Sequence, residues 1–279
     1  MEAIYSVMDA LLPFEAFRFG FMKNALLAVL LLTPLLGLLG TMAVNHQMAF
    51  FSDALGHSAI TGIGLGIVLG LHSDLLAMLI FGVVWAILIC WIRQSGSASA
   101  DTIISVFSST SIAAGLLILA RGGKFAKYSS LLIGDVLAVT PGDLLALALA
   151  LPLGILCWAL LYNPLLLTSV SPSLARSRGI RIRIVECLFV VLVAVAVMLA
   201  IRWVGVLLIN ALLILPAAAG RNLAVNSRQH AVWSCAIALV SGIAGLLLAY
   251  QIDTSAGATI VIIAAAFYAV SLGIRAIRK

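Results

Sequence analysis

The chain has 279 residues, of which 64% are hydrophobic and only 9% are charged, and its formal net charge is +6. Soluble domains carry about 25% charged residues, so this composition excludes an ordinary soluble globular protein. The sequence predicts an all-α, polytopic integral membrane helical bundle. The cations lie in short breaks between apolar runs, as in cytoplasmic loops, and no nucleic-acid-binding module is indicated.

The apolar runs, taken in chain order, predict the membrane-spanning helices. Residues 1–19 contain acids and a proline and lack a basic leader, so we expect a retained N-terminal extramembrane segment. Residues 20–279 are expected to form a single transmembrane domain in lipid. A span needs about 20 apolar residues, which predicts about eight or nine transmembrane helices and one short or re-entrant segment, 128–142. The candidate spans are 20–44, 52–71, 74–93, 101–120, 143–168, 183–203, 205–219, 230–251 and 257–277.

Loop charge predicts the orientation, since cytoplasmic loops are enriched in Lys and Arg. With nine spans and a cytoplasmic C-terminus, the N-terminus lies outside. The cations then facing the cytoplasm are Arg93, Arg176, Arg178, Arg181, Arg183, Arg221, Arg228, Arg275, Arg278 and Lys279. Three cations break the rule, because Arg121, Lys124 and Lys127 fall outside. Either the 128–142 segment changes the count, or these cations have a partner on the outer face.

The stretch SDALGHSAITG, 52–62, places Asp53 and His57 one helical turn apart on one face, which Thr61 continues. An ionisable residue inside a membrane costs about 2.5–3.5 kcal/mol and usually faces a partner or a water-filled path. Carboxylate and imidazole together suit Zn²⁺ or Mn²⁺, and two ligands suit a site that must release its ion. The alternative is a helix N-terminus capped by Ser52 or Asp53, with His57 bonded nearby.

Small residues occupy the adjoining face of the same helix, at Ser58, Gly62, Gly66 and Gly70. Such a stripe allows another helix to approach closely. It therefore predicts that the helix carrying Asp53 and His57 is buried in a bundle.

The stretch IGDVLAVTPGDL carries two carboxylates in different contexts. Thr140 is predicted as an N-cap, Pro141 as the first helical residue and Asp143 as a first-turn acid. Asp135 has no such capping role, and Gly134 beside it permits an irregular backbone, so Asp135 is a candidate pore residue.

Residues 169–183 form a short polar insert between two long spans on the predicted cytoplasmic side. Ser171 can cap a helix, Pro172 can start it and Gly179 can stop it. A short helix parallel to the membrane fits this pattern, and the alternative is an ordinary basic loop.

The stretch VGVLLINALLILPAAAGR contains Asn210 and Pro216 in an apolar run. The proline is expected to bend or end the helix. Asn210 either lines a pore or joins two helices by a hydrogen bond, and the sequence alone favours packing.

The remaining chemistry-bearing residues receive structural roles. Small buried thiols are predicted for Cys90, Cys157, Cys187 and Cys235, and interfacial positions for His46, His72 and His230. No G-x-x-x-x-G-K-[ST] motif is present, so the chain is not expected to bind ATP in the usual way. Neither H-E-x-x-H nor G-x-S-x-G occurs, so no constellation of an intramembrane hydrolase is visible.

Taken together, four of these stretches, SDALGHSAITG, IGDVLAVTPGDL, SPSLARSRG and VGVLLINALLILPAAAGR, appear in the order and at the spacing found in one family. A fifth, DTSAGATIV, 253–261, matches as well. The chain resembles the membrane permease subunits of bacterial ABC importers for zinc and manganese ions. One departure is NHQMAFF, 45–51, where many members carry arginines.

The resemblance implies a homodimeric permease of the bacterial inner membrane, with two cytoplasmic ATPase subunits and an extracytoplasmic metal-binding protein. It implies transport of Zn²⁺ first and Mn²⁺ second, no permanently bound cofactor, and ATP hydrolysis on a separate subunit, so the chain itself is not expected to be an enzyme. The rival function is an ATPase-independent metal channel or secondary transporter.

The resemblance also assigns roles to residues. Asp53 and His57 become the metal ligands. ATPase coupling is assigned to Ser171, Pro172, Ala175 and Gly179. Independently of the resemblance, the residue patterns make Thr61, Asp135, Asn210 and Pro216 candidate pore or gate residues. The exception to the loop-charge rule makes Arg121, Lys124 and Lys127 candidates for binding-protein docking.

Overall fold

The computed structural model describes residues 5, 8, 15–96, 98–123, 134 and 136–278. Within these residues the structure is helical, with no strand. The α-helices are α1 (Gly20–Asn45), α2 (Phe51–Val68), α3 (Asp74–Gln94), α4 (Ala100–Arg121), α5 (Pro141–Val170), α6 (Pro172–Ser177), α7 (Ile182–Val204), α8 (Val206–Leu223), α9 (Ser227–Ile252) and α10 (Ala256–Ile277). Single 3-10 turns occur at Glu15–Arg18 and Val136–Ala138.

Eight of these helices are long and apolar enough to cross a membrane, all except α2 and α6. Helix α2 has sufficient length but carries Asp53, His57 and several glycines, which lower its hydropathy. The protein is therefore a multi-pass membrane protein, and the predicted all-α bundle is confirmed.

Local sequence features define where the helices begin. Thr140 and Asp143 form a capping box at the start of α5, in which each side chain accepts a hydrogen bond from the other residue's backbone N–H, at 3.3 and 3.1 Å. Pro141 is the first residue of that helix. The predicted capping role of Asp143 is confirmed.

Helix α1 lies at the centre of the bundle and packs closely against α8 and α9. A side chain at Gly40 would collide with the Leu213 carbonyl of α8, and one at Gly37 would lie 3.1 Å from the Ser234 carbonyl of α9. Small residues thus bring the backbones together, as is typical of helix packing in membranes. This packing fixes α8 beside α1.

Cationic side chains collect at one end of the bundle, which we call the basic end. Arg221 donates a hydrogen bond to the Val44 carbonyl at 3.5 Å, and Arg93 lies 3.7 Å from Glu186. The arginines at this end are Arg93, Arg176, Arg178, Arg181, Arg183, Arg221, Arg228, Arg275 and Arg278. Their grouping agrees with the predicted cytoplasmic side.

Two sequence expectations are corrected. Of the two outcomes expected at Pro216, an end to the helix is wrong, since α8 continues to Leu223 and Gly220 packs closely against Ser234. His230 is not interfacial: it is buried, and its Nε2 lies 2.9 Å from the Ala217 carbonyl. That contact joins α9 to α8.

Candidate functional site

Three polar side chains from two helices meet inside the bundle. Asn210 of α8 donates a hydrogen bond from Nδ2 to Oδ1 of Asp53 on α2, at 2.9 Å. The other carboxylate oxygen of Asp53, Oδ2, lies 3.5 Å from Nε2 of His57. We refer to Asp53, His57 and Asn210 as the polar site.

A glycine allows the two helices to approach at this point. A Cβ on Gly56 of α2 would collide with Cγ1 of Val206 in the first turn of α8. Val206 lies one turn before Asn210, and Gly56 lies nearly one turn after Asp53. Because the contact between Gly56 and Val206 brings the helices together, Asn210 can reach the Asp53 carboxylate.

A glycine at the break between α7 and α8 determines where α8 begins. Gly205 separates the two helices with φ +80° and ψ 163°, a conformation that L side chains rarely adopt. Gly134 packs directly against the backbone of Val204 and Gly205. Two glycines therefore position the first turn of α8.

The polar site is set back from the basic end along α8. Arg221 of α8 contacts the Val44 carbonyl at the basic end. Asn210 precedes Arg221 by eleven residues, which at about 1.5 Å per residue is about 16 Å of helix. The hydrocarbon core is about 30 Å thick, so we expect a site at this distance to lie within the membrane.

Helix capping does not explain Asp53. Helix α2 begins at Phe51, its N-cap is Phe50, and no side chain caps it. Asp53 instead bonds to Asn210, and Ser52 is buried with no hydrogen-bond partner for its Oγ in the described chain. The capping alternative for Ser52 and Asp53 is therefore wrong.

Two buried atoms of the polar site lack partners among the residues that the structure describes: Nδ1 of His57 and Oδ1 of Asn210. A buried polar atom without a hydrogen bond costs about 1–3 kcal/mol. The side chain of Asp53 is 44% exposed and that of His57 24% exposed, so the site is open on one side. It offers a carboxylate, an imidazole nitrogen and an amide oxygen, all of which ligate divalent metal ions.

The site has few strong ligands. Over the described ranges, no group of three or more His, Cys, Asp or Glu side chains is placed to hold a metal ion. One chain thus provides two strong ligands and one amide, fewer than the four of a closed zinc site.

The other candidate pore residues are placed differently. Thr61 is buried, and its hydroxyl donates a hydrogen bond to the Ser111 carbonyl of α4, where Gly115 packs against it. Pro216 is buried within α8. Asp135 lies outside the described residues. The structure therefore joins Asn210 to Asp53 and His57, and places Thr61 in a contact between helices.

Gly62 and Gly66 of the small-residue stripe serve the packing that the sequence predicts, whereas Gly70 lies beyond the end of α2 at φ +71° with open space around it. A Cβ on Gly62 would lie 3.2 Å from the Ala77 carbonyl, and one on Gly66 would collide with the Ala77 Cβ of α3. Thirteen of the eighteen residues of α2 are buried, which confirms that the helix lies inside the bundle.

The polar insert at the basic end forms the short helix α6. Ser171 accepts a hydrogen bond from the Leu174 N–H at 3.3 Å, and Pro172 is the first helical residue. Ala175 is buried, and Gly179 ends the helix with φ +74°. The predicted cap, start and stop are confirmed, so the alternative of an ordinary loop is wrong.

Of the three cations predicted on the outer face, Arg121 is exposed in the last turn of α4. Lys124 and Lys127 lie outside the described residues. Helix α4 begins a few residues after Arg93, at the basic end. Arg121 lies at the other end of α4.

A multi-pass α-helical membrane protein with a polar site between its helices and a short helix between two spans is typical of a transporter. Residues 18–275 match the ABC 3 transport family. The chain belongs to this family, and it is a membrane permease subunit rather than an enzyme.

The similar proteins are named for metal import. The chain is 31% identical to the "High-affinity zinc uptake system membrane protein ZnuB" of Haemophilus influenzae, over 91% of this chain and 97% of that protein. It is 30% identical to the "Manganese import system permease protein ScaB" of Streptococcus parasanguinis, over 91% and 90%. Among solved structures, it matches a chain of PsaBC from Streptococcus pneumoniae, in complex with Fab, with a TM-score of 0.80, 26% identity and coverage of 97% and 95%.

Sequence reasoning did not connect Asn210 with Asp53, because the two residues are 157 positions apart. Gly56 and Val206 were also missed, since a single glycine in a glycine-rich helix carries no distinguishing pattern. Amide side chains are rare in apolar helices, so the sequence indicates that Asn210 has a specific role but does not identify its partner.

Proposed function

We propose that the chain is the permease of an ATP-driven importer for divalent transition metal ions, zinc first and manganese second. The observation that carries this proposal is the contact of Asp53, His57 and Asn210, with Nδ1 of His57 and Oδ1 of Asn210 lacking partners among the described residues. The similar proteins named for zinc and manganese import support it.

The donor set suits an ion in transit. Imidazole favours zinc, whereas carboxylate and amide oxygens favour manganese, so the ligands alone allow both. A site with few ligands binds weakly enough to release its ion to the cytoplasm. We place zinc first because IGDVLAVTPGDL and SPSLA resemble the zinc-type members of the family.

A second copy of the chain would complete the site. Asp53 is 44% exposed although we expect it to lie within the membrane, where an ionised side chain in contact with lipid is costly. Two copies related by a two-fold axis would place two carboxylates and two imidazoles around one path. We therefore propose a homodimer with the transit site at its axis.

Helix α6 is the proposed contact with the ATPase subunits. It lies at the basic end between α5 and α7, and Leu174 on it is 45% exposed. Its backbone is tied to the turn that follows, because the Ile180 N–H bonds to the Ala175 carbonyl at 3.0 Å. A push on α6 is thereby passed to the start of α7.

On the opposite face, Arg121 together with Lys124 and Lys127 is proposed to attract acidic residues of an extracytoplasmic metal-binding protein. Complementary charge steers association and is weakened by salt. This role explains why cations lie on the outer face, although the loop-charge rule expects Lys and Arg on the cytoplasmic side.

Uptake of zinc and of manganese, measured separately in cells with an active or an inactive ATPase partner, tests the proposal. We expect uptake to require the active ATPase and the preferred ion to be zinc. Uptake that persists with the inactive ATPase would instead show a channel or secondary transporter and would remove the coupling role of α6.

A further inference from the structure

Two cysteines that sequence analysis treats as unrelated buried thiols lie side by side at the basic end. Sγ of Cys90 on α3 and Sγ of Cys187 on α7 are 2.7 Å apart, and both cysteines are free. An S–S bond measures about 2.05 Å, so little movement separates this pair from a covalent link.

Neighbouring side chains hold the two sulfurs together. Nε2 of Gln94 lies 3.2 Å from Sγ of Cys90 and 3.7 Å from Sγ of Cys187, and it donates to the Arg183 carbonyl at 3.2 Å. Arg93 of α3 precedes Gln94 in the sequence, and Glu186 of α7 precedes Cys187. These two residues form an ion pair at 3.7 Å. The contact between α3 and α7 is thus fixed around the thiols by polar groups.

The thiol pair is close to water at the basic end. A cavity of about 760 Å³ is lined by Gln94, Arg176, Arg181 and Glu186 together with neighbouring residues of α7. Gln94 contacts both this cavity and the sulfurs. Cys187 is partly exposed, whereas Cys90 is buried, so Cys187 is the more accessible thiol of the pair.

We propose that Cys90 and Cys187 form a reversible dithiol–disulfide pair, oxidised by small thiol-specific oxidants, that clamps α3 to α7. With diamide as the oxidant, the Cys187 thiolate adds to one nitrogen of the N=N bond, and the other nitrogen takes up a proton. The Cys90 thiolate then attacks the Cys187 sulfur, forms the S–S bond and releases the hydrazine nitrogen, which takes up the second proton. The balance is one diamide and two cysteine thiols in, one Cys90–Cys187 disulfide and one hydrazine out.

The clamp would act on transport through α7. This helix begins immediately after α6 and the Gly179 turn, so a bond from α7 to α3 would hold the start of α7 in one position. This consequence rests on the proposed importer function, whereas formation of the disulfide does not. Disulfides in a reducing cytosol are transient or redox-sensing, which fits a bond formed only under oxidation.

The covalent step is tested in the full-length protein in membranes, in a Cys157→Ser/Cys235→Ser background that leaves only this pair. After treatment with diamide and denaturation, we expect neither thiol to react with maleimide-PEG, and dithiothreitol to restore two additions. Adding Cys90→Ser or Cys187→Ser to this background should leave one reactive thiol before and after diamide. Two reactive thiols after diamide in the pair-only protein would overturn the proposal.

The clamp is tested by zinc uptake of the same samples. We expect diamide to lower uptake at least tenfold in the pair-only protein, with recovery in dithiothreitol, and to leave the additional Cys90→Ser variant unchanged. A disulfide that forms without any loss of uptake would overturn the clamp. Absent uptake in the reduced, untreated protein would count against the proposed function and leave the thiol result standing.

Discussion

The amide of Asn210 donates a hydrogen bond to the Asp53 carboxylate at 2.9 Å, joining α8 to α2 inside the bundle. Asp53 therefore has one oxygen held by Asn210 while the other faces His57 at 3.5 Å. The amide fixes the orientation of the carboxylate that we propose as a metal ligand.

Replacement of Asn210 by Ala is expected to lower zinc uptake about 10-fold, since the loss of a group that orients a metal ligand typically costs 10–100-fold. The measurement is the initial uptake rate at matched protein levels. Asn222→Ala is the control, because Asn222 lies on the same helix and bonds Ser271 and Arg275 away from the site. If Asn210→Ala took up zinc at the same initial rate as the Asn222→Ala control, Asn210 would serve packing alone.

The glycine contact that aligns the two helices gives a second prediction. Gly56→Ala places a methyl group against Cγ1 of Val206, which should move α8 away from α2 and lower uptake. Val206→Ala in the same chain removes the colliding atom and should restore at least half of the lost rate. Failure of this second change to rescue uptake would mean that Gly56 acts in some other way.

The helix assignments follow from the sequence because they depend on local features. Apolar runs, the Thr140–Asp143 box and the Ser171–Pro172 start all lie within a few residues, and the structure confirms each. The sequence left open whether Pro216 bends or ends its helix, and the helix continues to Leu223, where Gly220 packs closely against Ser234 of α9. The meeting of Asn210 with Asp53, and of Cys90 with Cys187, depends on helix packing that no local pattern encodes.

Helix α6 provides a test of coupling. Gly179 ends the helix at φ +74°, where a Cβ costs about 1–2 kcal/mol. We expect Gly179→Ala to lower the number of zinc ions imported per ATP hydrolysed in the assembled transporter, because the turn between α6 and α7 is distorted. Gly96→Ala is the matched control, with φ +70° and open space around it in another loop at the same end. If Gly179→Ala and Gly96→Ala both imported the wild-type number of zinc ions per ATP hydrolysed, the coupling role of α6 would be contradicted.

The burial of His46 leads us to expect that the stability of the protein depends on pH. Burial lowers the pKa of His46 below its usual 6.5, although Glu186 and a contact of Nε2 with the Leu165 carbonyl at 3.1 Å oppose the shift. The folded protein therefore binds fewer protons than the unfolded chain just below pH 6.5, so stability falls as the pH drops from 6.5 toward the lower folded pKa. Melting in detergent should show a larger decrease in Tm between pH 7.5 and 5.5 for the wild type than for His46→Gln. Parallel decreases would assign the effect to other groups.

The most direct test of the transit site is the initial rate of zinc uptake by Asp53→Ala and His57→Ala. Each variant would be expressed with the ATPase and the binding protein and checked for co-purification of the ATPase. Asp101→Asn is the control, because Asp101 is an exposed first-turn carboxylate of α4, away from the polar site. We predict background uptake for both site variants and wild-type uptake for the control, with assembly intact in all three. Wild-type uptake in both site variants would contradict the assignment of Asp53 and His57 as the metal ligands of this permease.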